Sequence, residues 1–227
     1  VILLEDVAKT YRRPDGAVTT ALFVPRLFAA AGESLCLVGG SGTGKTTLLN
    51  VVAGIVLPDR GRVTVDGENV VALSEAERDL YRARKIGYVF QTFNLLQAYT
   101  AEENVLLPLL FAGKKRAEAR ERAAELLGRV GLGGKRDRRP SELSVGEQQR
   151  VAVARASACK PKVLLADEPT ANLDPQNAVE AMRLLREVAA EAGAVLLVVT
   201  HDQRLKDEFA RVETLHTAPS AAQGGAA

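Results

Sequence analysis

The sequence predicts an α/β fold in which a mostly parallel sheet carries helices on both faces. Three observations point there. The apolar runs "SLCLV", "KVLLA" and "AVLLVVT" barely alternate with polar residues, as expected of strands buried on both sides. Segments with helical spacing separate them, the order that builds parallel strands through crossover connections. From Gln91 to Lys160 the strand signals vanish. A helical subdomain at 92–159 is therefore expected to interrupt an α/β core made of 1–91 and 160–216.

The elements follow in order. "VILLEDV" and "AVTTALFV" alternate enough to be strands, with the turn-rich "RRPDG" between them. "ESLCLVG" is a short buried strand and "KTTLLNVVAGIV" a helix. "LPDRG" turns into the strand "RVTV", closed by Asp66 and Gly67. "SEAERDLYRAR" reads as a charged helix with Ser74 as its N-cap, and "KIGYVF" returns as a strand. "AEENVLLPLLFAG", "KKRAEARERAAELLGRV" and "EQQRVAVARASA" carry helical spacing, punctuated by Gly and Pro. Then come the strand "KVLLA", the helix "QNAVEAMRLLREVAAEAG", the strand "AVLLVVT", a short helix after His201 and a last strand near "RVETL". The small and glycine-rich "APSAAQGGAA" predicts a disordered tail at 217–227.

Composition narrows the function. A chain of 227 residues can bury a full core without disulfides. Thirty basic side chains against 28 acidic ones give no whole-surface attraction to nucleic acid, and no nucleic-acid partner is expected. Cys36 and Cys159 have no CxxC partner, and Cys36 in a buried strand reads as a small core hydrophobe. Neither a run of about 18 apolar residues nor a signal pattern occurs, so a cytoplasmic location is expected. The basic runs "GKKR" at 113–116 and "GKRDRR" at 134–139 read as solvated surface rather than as phospholipid contacts.

The chemistry starts at "GGSGTGKTT", which is Gly39, Gly40, Ser41, Gly42, Thr43, Gly44, Lys45, Thr46 and Thr47. It fits G-x-x-x-x-G-K-[ST], with a strand before it and a helix after it. Glycines let the backbone turn tightly enough to aim several N–H groups at phosphate oxygens. The helix start adds the positive end of its dipole. Lys45 is placed for the β- and γ-phosphates and the Thr46 hydroxyl for Mg²⁺. No NKxD guanine-reading motif accompanies the loop, which argues against a GTPase.

In "VLLADEPT", Asp167 and Glu168 end a buried strand, and ligands of open α/β sheets bind just beyond such ends. Asp167 is expected to hold Mg²⁺ through its water shell, and Glu168 to take a proton from the attacking water. His201 ends "AVLLVVT", positioned for the γ-phosphate or the water. Gln91 ends "KIGYVF", its amide able to ligate Mg²⁺ and touch the water while opening the helical region. In "LSVGEQQR", Ser144 through Glu147 fit S-x-x-E, the capping box of a helix start. That is a second anion site in a chain that already has one, as expected if it completes the pocket of another subunit.

Together, "GGSGTGKTT", Gln91, "LSVGEQQR", "LLADEPTANLD" and "VVTHD" resemble the nucleotide-binding subunits of ABC transporters, over nearly the whole chain. Within that family, "VFQTFNLLQAYTAEENVLLPLLFAG" and "LSVGEQQRVAVARA" are most similar to the lipoprotein-release and macrolide or antimicrobial-peptide export branch. The resemblance implies a P-loop NTPase core with an antiparallel β subdomain and an inserted helical subdomain. It implies ATP and Mg²⁺ as cofactors, Tyr11 stacked on adenine and Gly39–Thr47 as the Walker A loop. Gln91 becomes the Q-loop residue, and Ser144, Val145, Gly146 and Glu147 the signature acting in trans. Asp167 and Glu168 become Walker B carboxylates, Asn172, Leu173 and Asp174 the D-loop, and His201 the switch histidine.

The same resemblance implies a head-to-tail homodimer, or a pair with another cassette, closing on two ATP and bound at the inner face of the membrane to separate permease subunits. "FNLLQAYTAEENVLLPLL" would line the docking groove. The expected role is export or extraction of lipophilic cargo. A cell-division ATPase that signals across the membrane is the alternative, and a soluble ABC ATPase acting on DNA or ribosomes a more distant one. Two departures stand out. Val145 replaces the usual first glycine of the signature; it keeps the N–H but adds a branched side chain facing the phosphate, so a working but weakened site is expected. Gly40 stands where a proline is usual, which adds freedom and removes no donor.

Overall fold

The computed structural model describes residues 1–12, 14 and 16–216, apart from the side chains of Gln203 and Arg204. The expected tail at 217–227 lies outside the described residues. In chain order the strands are β1 (Ile2–Arg12), β2 (Val18–Ala29), β3 (Ser34–Val38), β4 (Arg60–Val65), β5 (Glu68–Asn69), β6 (Ile86–Val89), β7 (Val163–Asp167), β8 (Val195–Thr200) and β9 (Arg211–Thr214). The helices are α1 (Lys45–Val52), α2 (Glu75–Lys85), α3 (Ala101–Phe111), α4 (Arg116–Arg129), α5 (Val145–Ser157) and α6 (Pro175–Ala192).

Two sheets result. One is antiparallel, in the order β2-β1-β4-β5; the other is parallel, in the order β6-β7-β8-β3-β9. The parallel strands explain their own composition. Cys36, Val38, Leu164, Ala166, Leu196 and Val198 enter a core shared with α5, α6 and the helical region. Their neighbours Leu35, Leu37, Leu165, Leu197 and Val199 enter a second core shared with α1 and the antiparallel sheet. Successive side chains of a strand point to opposite faces. With both faces covered by apolar layers, every position has to be apolar, so no alternation survives.

Helix boundaries follow local chemistry. Ser74 caps α2 as expected, with its side chain taking the Glu77 N–H and Glu77 returning to the Ser74 N–H. Thr100 and Glu103 do the same for α3, and Ser144 and Glu147 for α5. α1 is shorter than the sequence reading, ending at Val52 instead of continuing through "AGIV". Gly54, at φ 65°, takes the left-handed conformation that stops it. The segment after His201 is a 3₁₀ helix, Gln203–Glu208. The "GKRDRR" run is not left to solvent alone: Lys135, Arg136 and Arg138 pair with Glu147, Glu102 and Glu142.

Helix α5 packs directly on β6, and the approach is closest at Gly87. A Cβ there would lie 2.2 Å from the Ala156 carbonyl oxygen. Gly128, inside α4, has open space where its Cβ would be. Thermal melts should therefore separate the two. Gly87→Ala is expected to lose about 1–3 kcal/mol through overpacking, and Gly128→Ala to gain about 0.5–1 kcal/mol from helix entropy. Equal effects from the two would contradict this packing.

Candidate active site

All parallel strands point the same way, so the residues following β3, β6, β7 and β8 collect at one edge of the sheet. There a cavity of about 590 Å³ is lined by Ser41, Gly42, Gly44, Lys45, Thr46 and Thr47, together with Gln91, Asp167, Glu168 and His201. The glycine loop forms one wall. Gly44 adopts φ 93°, and a Cβ on it would sit 2.2 Å from the Ala21 carbonyl oxygen, so only glycine fits. Thr43 holds the turn by donating its hydroxyl to the Gly40 carbonyl at 3.0 Å. Lys45 Nζ donates to the Gly39 and Gly40 carbonyls at 2.8 and 3.0 Å, which bends it back over the loop. Helix α1 begins without a side-chain cap and without an acidic residue in its first turn. Its N–H groups and dipole are thus left to an anionic ligand.

The opposite wall carries the carboxylates. Asp167 closes β7, paired with Val199 of β8. Burial pushes its carboxyl pKa up, and the adjacent Glu168 adds to this, while a hydrogen bond from Thr46 and the charge of Lys45 oppose it. Glu168 is buried in a left-handed conformation, φ 46°, and its N–H is bound to the Val199 carbonyl at 2.9 Å. Its Oε2 accepts from the Thr200 hydroxyl at 2.8 Å and from the His201 N–H at 3.2 Å. Its Oε1 lies 2.8 Å from His201 Nδ1 and 3.9 Å from Lys45 Nζ. A carboxylate oriented by a hydroxyl, an imidazole and an ammonium can accept a proton from a water beside a phosphate.

The remaining sequence-predicted residues divide. Gln91 lines the cavity, and its carbonyl accepts from Asn172 Nδ2 at 3.0 Å, which ties the "NLD" segment to it. Leu173 packs against the core, and Asp174 caps α6 by accepting the Asn177 N–H at 3.0 Å. Tyr11 is not part of the cavity wall; it is exposed near the end of β1, with Lys9 Nζ 5.6 Å from its ring centroid. Ser144, Val145, Gly146 and Glu147 also lie outside this cavity. Val145 is 48% exposed at the first position of α5, whose own capping box is complete. The Lys135 ammonium lowers the Glu147 carboxyl pKa, and the Ser144 N–H contributes further.

Three polar residues of this region lie inside recognisable motif stretches, yet the sequence alone assigns them no role. Thr200 orients Glu168, and its only signal is the strand end before His201. Gln149 is fully buried and donates to the Pro169 carbonyl at 2.9 Å, just beyond Glu168. Arg155 donates to the carbonyls of Phe93 and Asn94 at 2.5 and 2.6 Å, holding the turn after Gln91, where both residues have positive φ. Burial pushes the Arg155 guanidinium down to about 10, which leaves it charged at neutral pH.

A glycine loop closed by a lysine at a helix start, facing paired carboxylates on a neighbouring parallel strand, defines a P-loop nucleotide hydrolase. The sequence family described as ABC transporter matches residues 26–171, and the chain belongs to that family as one of its ATP-hydrolysing cassettes. It is similar to the lipoprotein-releasing system ATP-binding protein LolD of Xanthomonas oryzae pv. oryzae (strain MAFF 311018), with 45% identity covering 95% of this chain and 88% of that one. The macrolide export ATP-binding/permease protein MacB of Syntrophobacter fumaroxidans is 44% identical over 89% of this chain, which spans 28% of that longer protein. Among solved structures, the dimeric post-hydrolysis state of the ATP-binding cassette MJ0796 bound to ADP and Pi superposes with a TM-score of 0.87. Its identity is 38%, over 96% of this chain and 95% of that one.

Removing the Thr200 hydroxyl tests the arrangement around Glu168. A hydrogen bond to a charged group is worth about 1.5–3 kcal/mol, and about 1.4 kcal/mol is tenfold in rate. Thr200→Val, which keeps the shape, is expected to lower kcat for ATP by about tenfold or more with KM little changed. Steady-state phosphate release measures both, and an unchanged kcat would remove Thr200 from the site.

Proposed function

We propose that this chain works as one half of a head-to-tail dimer that closes on ATP, reopens after hydrolysis and drives separate membrane subunits, in the manner of a lipoprotein-releasing or lipophilic-export system. One observation carries the reading. The start of α5 presents Ser144 and Val145 to solvent, away from the cavity that holds the chain's own phosphate loop. A second copy turned by a two-fold axis would put that helix start over the γ-phosphate. The dimeric state named for the MJ0796 cassette supports this pairing, and the LolD relatives support the cargo class.

Within the closed site, the loop N–H groups and Lys45 bind the β- and γ-phosphates. Glu168 accepts the proton of the attacking water, and His201 holds Glu168 in place and reaches the γ-phosphate. Gln91 senses the occupied site and passes the signal to the helical region, while Tyr11 stacks on adenine. Asn172, Leu173 and Asp174 form the seam with the second copy. Mg²⁺ fits the donors present: the Thr46 hydroxyl and Asp167 are bonded to one another at the helix start, with Gln91 on the same wall. No cluster of three His, Cys, Asp or Glu among the described residues would hold a metal by itself. This suits an ion that takes one or two protein groups and fills its shell with phosphate oxygens and water. When bound, it neutralises the charge that builds between the β- and γ-phosphates.

Among the described residues no helix is long and apolar enough to cross a membrane; the reading puts the chain at the inner membrane face through its permease. The apolar surface formed by Leu96, Leu107 and Phe111 is the part offered for that docking.

Glu168→Gln should retain ATP, hydrolyse it at least about a hundredfold more slowly and move from monomer to dimer on size exclusion with Mg-ATP. A persistent ATP-loaded monomer would count against the sandwich. Val145→Gly tests the departure in the signature. If the branched side chain crowds the facing phosphate, ATP turnover at saturating protein rises severalfold; an unchanged rate means the exposed valine is accommodated.

A further inference from the structure

A second cavity, of about 490 Å³, opens on the helical side of the molecule, away from the phosphate loop. Four cations line it: Arg84, Lys114, Arg122 and Lys160, against a single carboxylate, Glu118. They come from four places in the chain. Arg84 lies in the last turn of α2, Lys114 just after α3, Arg122 on α4 and Lys160 just after α5. Arg122 is paired with Glu125. Among the described residues, Arg84, Lys114 and Lys160 have no ion pair or side-chain hydrogen bond. The contrast with "GKRDRR" is direct: three of the four cations in that run pair with carboxylates, whereas Lys114 of "GKKR" does not.

The convergence has a physical basis. The C-terminal ends of α2, α3 and α5 meet here, and the negative ends of their dipoles offset part of the repulsion between the cations. Lys160 is held at φ 50°, a left-handed position where glycine would be the easier residue. The floor is apolar, formed by Leu109, Ala112 and Ala158, with the half-buried Cys159 beside them. Burial pushes the Cys159 thiol pKa up, while Lys114 and Arg122 pull it down. The positive field therefore reaches the floor of the cavity and not only its rim.

The geometry points to a binding site for a phosphate-bearing ligand with a small apolar part, the phosphate held by Arg84, Lys114 and Lys160 and the apolar part resting on Leu109 and Ala158. Guanidinium and ammonium donors brought to one cavity from three separate elements suit a tetrahedral anion. The floor distinguishes this site from one for inorganic phosphate alone. Such a ligand comes from two sources, a soluble phosphate ester or the headgroup of an anionic phospholipid.

Cys159 reports occupancy directly, and the fully buried Cys36 serves as the internal reference. Iodoacetamide labelling of each cysteine is followed by peptide mass spectrometry on the full chain at fixed ionic strength. The same measurement on Lys45→Ala removes any contribution of the phosphate loop. Saturating glycerol 3-phosphate or phosphatidylglycerol vesicles should slow Cys159 labelling about fivefold or more, with phosphatidylcholine vesicles as the neutral control. Protection by glycerol 3-phosphate identifies a soluble ester, and protection by phosphatidylglycerol vesicles alone a headgroup. Lys114→Gln with Lys160→Gln should abolish the effect while leaving ATP turnover and the thermal melt in place, and Arg84→Gln alone should weaken it. No protection by either probe, or protection that survives the double substitution, overturns the assignment.

Discussion

Glu168 sets the terms for the rest of this molecule. Its carboxylate is nearly shut off from water, at 10% exposure of the side chain, in a backbone conformation that costs a non-glycine residue about 1–2 kcal/mol. It stays there because β7 and β8 are parallel neighbours in a register that sets Asp167 beside Val199. That register delivers the Val199 carbonyl, the Thr200 hydroxyl and both donors of His201 to one acidic residue. An antiparallel partner would send one of the two strand ends to the far side of the sheet. The parallel sheet, with both faces covered, is thus the condition for the chemistry, and the unalternating apolar runs are its signature in sequence.

Much of the site was legible for that reason. The phosphate loop is a local device: tight turns, backbone donors and a helix start all lie within Gly39–Thr47, so spacing reveals it. Glu168 and His201 were also readable, since each follows an apolar run and strand ends of one parallel sheet converge. Thr200, Gln149 and Arg155 were not, because their roles arise only across the fold. Thr200 meets a carboxylate 32 residues away in sequence, and Arg155 reaches carbonyls 61 and 62 residues away. In sequence they are a β-branched strand residue and two polar members of a helix. Tyr11 is the reverse case: its motif is recognisable, yet its ring stands apart from the cavity wall in this chain alone. The end of α1 was misread because apolar spacing continues past Gly54, where the backbone conformation overrides it.

Helix α5 links its exposed start, Ser144–Glu147, to the cavity wall through three ties. At its start, Gly146 is packed so closely on Asn177 that a Cβ would lie 2.3 Å from the amide oxygen, and Asn177 is itself held by the Asp174 cap of α6. In its middle, the buried Gln149 grips the Pro169 carbonyl. At its end, Arg155 holds the turn that follows Gln91. A rigid helix transmits a displacement at one of these ties along its length.

The same contacts tie the start of α5 to Gln91, whose carbonyl is bonded to Asn172. The connections form a closed ring: α5 to the turn after Gln91, Gln91 to Asn172, Asp174 to Asn177, and Asn177 back to Gly146. Moving one member of a ring of packed and hydrogen-bonded contacts strains the others, because close-packed interfaces switch between discrete arrangements and do not stretch smoothly. A displacement of Ser144–Glu147 would therefore strain the contacts at Gln91 and, through Pro169, the backbone next to Glu168. The coupling needs no dedicated wire, only that α5 remain a single rigid element between its three ties.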